Sequence, residues 1–188
     1  MAEQNQLARA SPITVANALT VARLVLLPVV IGGITLNHGY VAVGAMAAVI
    51  VTDLLDGRIA RRMGQASAFG QTLDSTVDFV MIYSLFIAFY AAGRLATYQF
   101  AIIYVAMLTT FMLHLWSLAN SEVAGVVRTR SGKVTGALQY TYLIFLVARE
   151  VLPRRPAVAL ADMVLFALLA AAIAVSSIGC IVRLRRLV

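Results

Sequence analysis

Cysteine is nearly missing from this chain. The one present, Cys180, excludes an intrachain disulfide and sits in a late apolar run as a small hydrophobe. Lysine occurs once, at Lys133, and acidic residues number eight in 188. Only 12% of the residues are charged while 62% are hydrophobic, so polar groups are too few to cover a soluble domain of this size. Low-complexity tracts and soluble appendages are lacking too, leaving residues 1–188 as a single domain. The net charge of +7 would point a soluble protein toward nucleic acid. Here the arginines flank apolar segments, where they set orientation and meet anionic headgroups, so nucleic acid is excluded as a partner. The class is an integral membrane protein.

What the chain does have is six apolar segments, near Val15–Leu36, Tyr40–Arg61, Thr72–Ala92, Thr97–Ala119, Thr135–Val151 and Ala157–Ile181. In lipid the backbone must satisfy its own hydrogen bonds, so each segment is expected to be a helix. The expectation is an all-α fold of six transmembrane helices. The first twelve residues are polar and read as a flexible N-terminus. The run after them lacks a small-residue exit and carries Arg23, which favours mature structure over a signal peptide. Pro28 is expected to kink the first helix. Orientation follows from the basic residues. Placing the N-terminus, the second and fourth loops and the C-terminus on one side gathers ten of them there against four opposite. That predicts both termini in the cytoplasm.

Half of the eight acids fall within 26 residues, "DLLDGRIARRMGQASAFGQTLDSTVD". Asp53 and Asp56 are three apart, and Asp74 and Asp78 four apart, so each pair shares a helix face. The two helices are joined by a short loop and are neighbours. Counting from its glycines, Asp56, Asp74 and Asp78 lie about 6–12 Å below the cytoplasmic surface. Four anions so close raise one another's pKa unless some are protonated or cations sit among them. Hard divalent ions with oxygen ligands fit, Mg2+ above all. Two metals about 3.5–4 Å apart are a known arrangement for displacement at phosphorus. Gly57, with Ala60 one turn on, leaves room for a large group against the backbone. Arg61 offers a fork to phosphate near the mouth, and Gly70 opens the third helix. These features describe a diphosphate site. A divalent-cation transporter or channel would also use the acids, but gives no reason for Gly57, Ala60 and Gly70. An aspartate-rich membrane prenyltransferase would need more than six helices.

The stretch resembles the signature of the CDP-alcohol phosphotransferase (CDP-alcohol phosphatidyltransferase) family, D-x2-D-G-x2-A-R-x8-G-x3-D-x3-D. Every spacing is met by Asp53, Asp56, Gly57, Ala60, Arg61, Gly70, Asp74 and Asp78. The resemblance implies that the four aspartates hold the metals, Mg2+ or Mn2+ and two per site. It further implies that Asp78 is also the general base, and that Gly57, Ala60, Arg61 and Gly70 line the CDP pocket. It implies a homodimer in the bacterial inner membrane with its sites on the cytoplasmic side. "NALTVARLVLLP" is similar to the N-x-L-T-x2-R run that opens many bacterial members, which adds Asn17 and Thr20 as contacts to the CDP moiety.

The reaction implied is transfer of a phosphatidyl group from CDP-diacylglycerol to a small polar alcohol, with release of CMP, in phospholipid biosynthesis. In the fourth loop, "VRTRSGKVTGALQY", Arg128, Ser131 and Lys133 are the candidate contacts to an anionic acceptor. This run resembles the G-K-x-K-T-x2-Q of phosphatidylglycerophosphate synthases, departing at Thr135 and Gly136. The acceptor expected first is glycerol 3-phosphate, with inositol phosphate, serine or another small alcohol behind it. His114, in the fourth segment, reads as a packing or hydrogen-bonded histidine, and Tyr140 and Tyr142, in the fifth, as markers of the bundle or the membrane interface.

Overall fold

The computed structural model describes residues 15–62, 68–119 and 130–184. They form six helices, with no strand among the described residues: α1 (Val15–Thr35), α2 (Gly39–Arg62), α3 (Ala68–Ala91), α4 (Thr97–Ala119), α5 (Arg130–Arg149) and α6 (Pro156–Leu184). Each overlaps one expected segment. α1 runs on through Pro28. Two helices begin more than one residue earlier than hydrophobicity predicts. α3 takes in Ala68 to Gly70, and α5 takes in Arg130 to Lys133. A helix can project a polar first turn past the hydrocarbon, because its four unpaired N–H groups find partners in water.

Among the described residues, three helices are long and apolar enough to cross a membrane: Ala18–Thr35 on α1, Leu73–Ala91 on α3 and Pro156–Val182 on α6. On α6, Leu160, Met163, Leu168, Val175 and Ile178 are all more than half exposed. In water such a stripe would drive association. In a bilayer it faces lipid, as befits a membrane protein.

The chain divides into two compact units, Met1–Leu85 and Phe86–Val188, with the boundary inside α3. In the first unit α1 and α2 form an antiparallel hairpin. The buried side chains of α1, Thr20, Arg23, Leu27, Val30 and Ile34, recur at alternating steps of three and four. That is the spacing of a narrow helix–helix seam. α2 answers with Ala42, Met46 and Val49, and α3 with Val77, Met81 and Leu85. The hairpin closes through Asn37, whose φ of 61° stops α1. The His38 N–H then reaches back to the Gly33 carbonyl at 2.8 Å, a left-handed cap that satisfies a terminal acceptor.

Gly33 sets how near the two helices come. A Cβ there would lie 2.6 Å from the Ala42 nitrogen and 2.9 Å from its Cα, both backbone atoms that cannot swing aside. Gly32 has nothing within 4 Å of such an atom. Gly33→Ala is therefore expected to cost about 1–3 kcal/mol in overpacking, outweighing the gain in helix propensity of ~1 kcal/mol. Gly32→Ala should be neutral or slightly stabilising. Thermal unfolding in detergent checks the pair, and equal melting temperatures would refute the close-approach argument.

In the second unit α5 packs on α6, and α4 also meets α6. The core holds Phe86, Phe89, Ile103, Leu143, Leu146 and Leu169. Tyr142 is buried in it and donates to Asp162 at 3.0 Å, while Gln99 donates to the Tyr142 oxygen at 3.3 Å. Buried polar groups are thus answered by one another, as a low-dielectric interior requires.

Candidate active site

The site of interest grows out of the α1–α2 seam. Ten residues back from Gly33 on α1 is Arg23; ten and eleven forward from Ala42 on α2 are Thr52 and Asp53. In an antiparallel pair these positions face one another, so the register that seats Gly33 on Ala42 also brings Arg23 to Asp53. On α3, Asp74 and Asp78 continue the stripe of Met81 and Leu85 one turn at a time, which aims them at the same place.

Arg23 is the hub. It is 1% exposed. Its Nη1 donates to Asp53 Oδ1 at 2.8 Å and to Asp78 Oδ1 at 2.5 Å, and its Nη2 donates to Asp74 Oδ1. Nη2 also reaches the Thr20 hydroxyl at 3.4 Å. A planar guanidinium suits this work, since its fork fixes several oxygens in one geometry. Such charge-assisted bonds are short and roughly twice as strong as neutral ones.

The three carboxylates are far more open than the arginine beneath them, with side chains 37%, 42% and 42% exposed. One oxygen from each lies within 4.8 Å of the others. Ionised, they outnumber the guanidinium by two negative charges, the charge of one divalent cation. Mg2+, with ligands at about 2.1 Å, holds its own oxygens roughly 3–4 Å apart, so the cluster needs only a small contraction to take it. The donor set is all hard carboxylate oxygen, and it fits Mg2+ or Mn2+.

Of the expected metal ligands, Asp53, Asp74 and Asp78 are brought together. Asp56 lies on α2 three residues beyond Asp53, and its side chain falls outside the described residues. The backbones of Gly57, Ala60 and Arg61 continue α2, Gly70 is the third residue of α3, and Asn17 lies in the first turn of α1. The side chains of Asn17, Ala60 and Arg61 are outside the described residues. Thr20 is 3% exposed and its hydroxyl lies against Arg23. Of the expected acceptor contacts, Arg128 lies outside the described residues, Ser131 is on α5 with its side chain outside them, and Lys133 is exposed on α5.

The residue that sequence reasoning passed over is Arg23. Its signal was present, because a guanidinium inside an apolar run has to find carboxylates. Stepping by threes from Asn17 through Thr20 also arrives at it.

Comparison with known proteins bears on the same region. Residues 13–180 match the family described as CDP-alcohol phosphatidyltransferase. A cardiolipin synthase (CMP-forming) of Rattus norvegicus is 42% identical over 80 residues, 42% of this chain and 26% of that protein. A probable cardiolipin synthase (CMP-forming) of Drosophila melanogaster is 41% identical over 86 residues, 43% of this chain and 25% of that protein. A probable phosphatidylglycerophosphate synthase of Mycobacterium tuberculosis is 35% identical over 100 residues, 50% of this chain and 48% of that protein. These matches span between a quarter and a half of the relatives' own lengths. No solved structure matches.

Proposed function

Because the chain belongs to the CDP-alcohol phosphatidyltransferase family, we propose that it transfers a phosphatidyl group from CDP-diacylglycerol to the hydroxyl of a small phosphorylated alcohol, glycerol 3-phosphate first among them, and releases CMP. The observation that carries this reading is the convergence of Asp53, Asp74 and Asp78 on Arg23, inside a stretch that meets every spacing of the family signature.

In this reading Asp53, Asp56, Asp74 and Asp78 would hold Mg2+ or Mn2+, two ions per site. When bound, the metal neutralises the diphosphate and makes CMP a better leaving group. Asp78 accepts the proton of the acceptor hydroxyl, whose oxygen forms a new bond to the β-phosphorus. The bond from that phosphorus to the bridging oxygen breaks, and CMP departs with the electron pair. Gly57, Ala60, Arg61 and Gly70, with Asn17 and Thr20 on α1, form the CDP side, and Arg128, Ser131 and Lys133 the acceptor side. Most of the acceleration is positioning and charge neutralisation, as is general for transfer to phosphorus.

The whole chain acts as one catalytic domain. It crosses the bacterial inner membrane six times, with both termini and the site in the cytoplasm, and works as a homodimer. The ten-to-four division of basic residues supports the orientation. A second reading is favoured by the similarity to CMP-forming cardiolipin synthases: the same chemistry with a lipid hydroxyl as acceptor.

The test is CMP release from CDP-diacylglycerol by the purified protein. The acceptors are glycerol 3-phosphate, inositol phosphate, serine and phosphatidylglycerol, each with Mg2+, Mn2+ or EDTA. The expected result is CMP release with glycerol 3-phosphate that falls to background in EDTA. Release with phosphatidylglycerol alone would select the second reading. Turnover indifferent to EDTA would remove the metals, and divalent-cation flux without CMP release from any acceptor would replace the enzyme with a transporter or channel.

A further inference from the structure

In the second unit the turn between α3 and α4 meets the turn between α5 and α6, and the two border an open cavity of about 570 Å3. Arg94, Arg149, Arg154 and Arg155 line it together with Glu150 and Asp162. None of these residues belongs to the acidic cluster or to the candidate acceptor contacts.

The two acids are already engaged. Glu150, 5% exposed, pairs with Arg94. Asp162 takes Nη1 of Arg149 at 2.7 Å, and Nη2 of Arg149 donates to the Arg94 carbonyl at 2.5 Å. Arg94 and Arg149 are thereby fixed as wall. Arg154 and Arg155 are different: both are exposed, and neither makes an ion pair among the described residues. The lining carries two positive charges in excess.

The local chain holds these arginines in place. They stand between Pro153 and Pro156, whose rings restrict the backbone. The Arg155 N–H also closes on the Pro153 carbonyl at 2.8 Å. α6 starts at Pro156, so its positive end adds to the field. The remaining lining is apolar, Leu152, Pro153, Val158 and Ala159 among it, and runs into the exposed Leu160 and Met163 of α6. In the orientation proposed above, these arginines lie on the outer side, where orientation bias disfavours basic residues. Setting the topology therefore does not account for them.

We propose that this cavity is a binding site for a phosphate ester of net negative charge, gripped by Arg154 and Arg155 over a wall of fixed ion pairs. Arginine forks match phosphate oxygens in geometry and charge. The apolar margin leading onto α6 suits an anionic phospholipid, whose headgroup fills the cavity while its chains lie along the helix. A soluble phosphate ester shares the chemistry but makes no use of that margin.

The experiment uses the full chain in detergent, with direct binding of short-chain phosphatidic acid, short-chain phosphatidylcholine and inorganic phosphate. The comparison is with Arg154→Gln, alone and combined with Arg155→Gln. Saturable phosphatidic acid binding is expected to weaken at least roughly tenfold in the double variant, the worth of one charge-assisted hydrogen bond. The single variant should be intermediate. The melting temperature without ligand and the CMP release rate should stay at the unsubstituted values. Preference for phosphatidic acid over inorganic phosphate supports the site with a lipid source, and equal binding of both supports it with a soluble one. Undiminished binding in the double variant, binding of phosphatidylcholine as tightly as phosphatidic acid, or no binding by the unsubstituted chain would overturn it.

Discussion

Asp78→Asn is expected to lower CMP release by roughly 10²–10⁴-fold, the usual worth of a positioned general base, while leaving the helices folded. Asparagine keeps the size of aspartate and retains a carbonyl oxygen that can accept from Arg23, so the bond now made at 2.5 Å has a successor. What it lacks is a lone pair basic enough to take a proton, and the negative charge of a metal ligand. The two losses are separable. Asp53→Asn removes a ligand charge but leaves the base, so its deficit should shrink as Mg2+ is raised, whereas that of Asp78→Asn should persist at saturating metal. The comparison requires steady-state kinetics across a metal titration, with circular dichroism to check folding. Full turnover by Asp78→Asn would leave the reaction without its base.

Arg23→Met should have the largest effect on stability. The substitution removes a fully buried guanidinium and leaves three carboxylates facing one another without the arginine between them. Breaking a buried pair costs about 3–5 kcal/mol. The carboxylates are more than a third exposed, and water screens part of their repulsion, so about 3 kcal/mol is the better figure. For a chain of this length that is roughly 6–12 °C of melting temperature in divalent-free buffer. The cluster would then hold three negative charges instead of two, so millimolar Mg2+ or Mn2+ should restore much of the loss and stabilise the variant more than the unsubstituted chain. Arg23→Lys should fall between, because a single ammonium cannot span three carboxylates as a fork does. A melting temperature unchanged by Arg23→Met without divalent ions would show that the arginine is not the keystone.

The helices were readable because lipid leaves the backbone few options: an apolar run of sufficient length must satisfy its own hydrogen bonds, and composition alone reveals it. The start of α5 at Arg130 is less legible, since the polar turn Arg130 to Lys133 folds without leaving a hydrophobic trace. The meeting of Asp53 with Asp74 and Asp78 could be inferred from spacings of three and four on two helices joined by a short loop. Arg23 escaped because its partners stand 30, 51 and 55 residues away, beyond any local periodicity. Charge reasoning calls either for protonation of some carboxylates or for cations among them. It looks for those cations in solution, whereas the structure supplies one from α1. The cavity beside Arg154 and Arg155 was equally hidden, since "PRRP" looks like an ordinary interfacial loop until the other turn meets it.

The same buried guanidinium constrains how the protein is made. α1 is synthesised before α2 and α3, and it carries a charge that would cost a lone helix as much as about 2.5–3.5 kcal/mol at the centre of a membrane. Its first counter-charge follows 30 residues later and its last 55 residues later. Until they are made, the guanidinium lacks the carboxylates that answer it in the folded protein. The burial of Arg23 is therefore fully compensated only once Asp78 has been made.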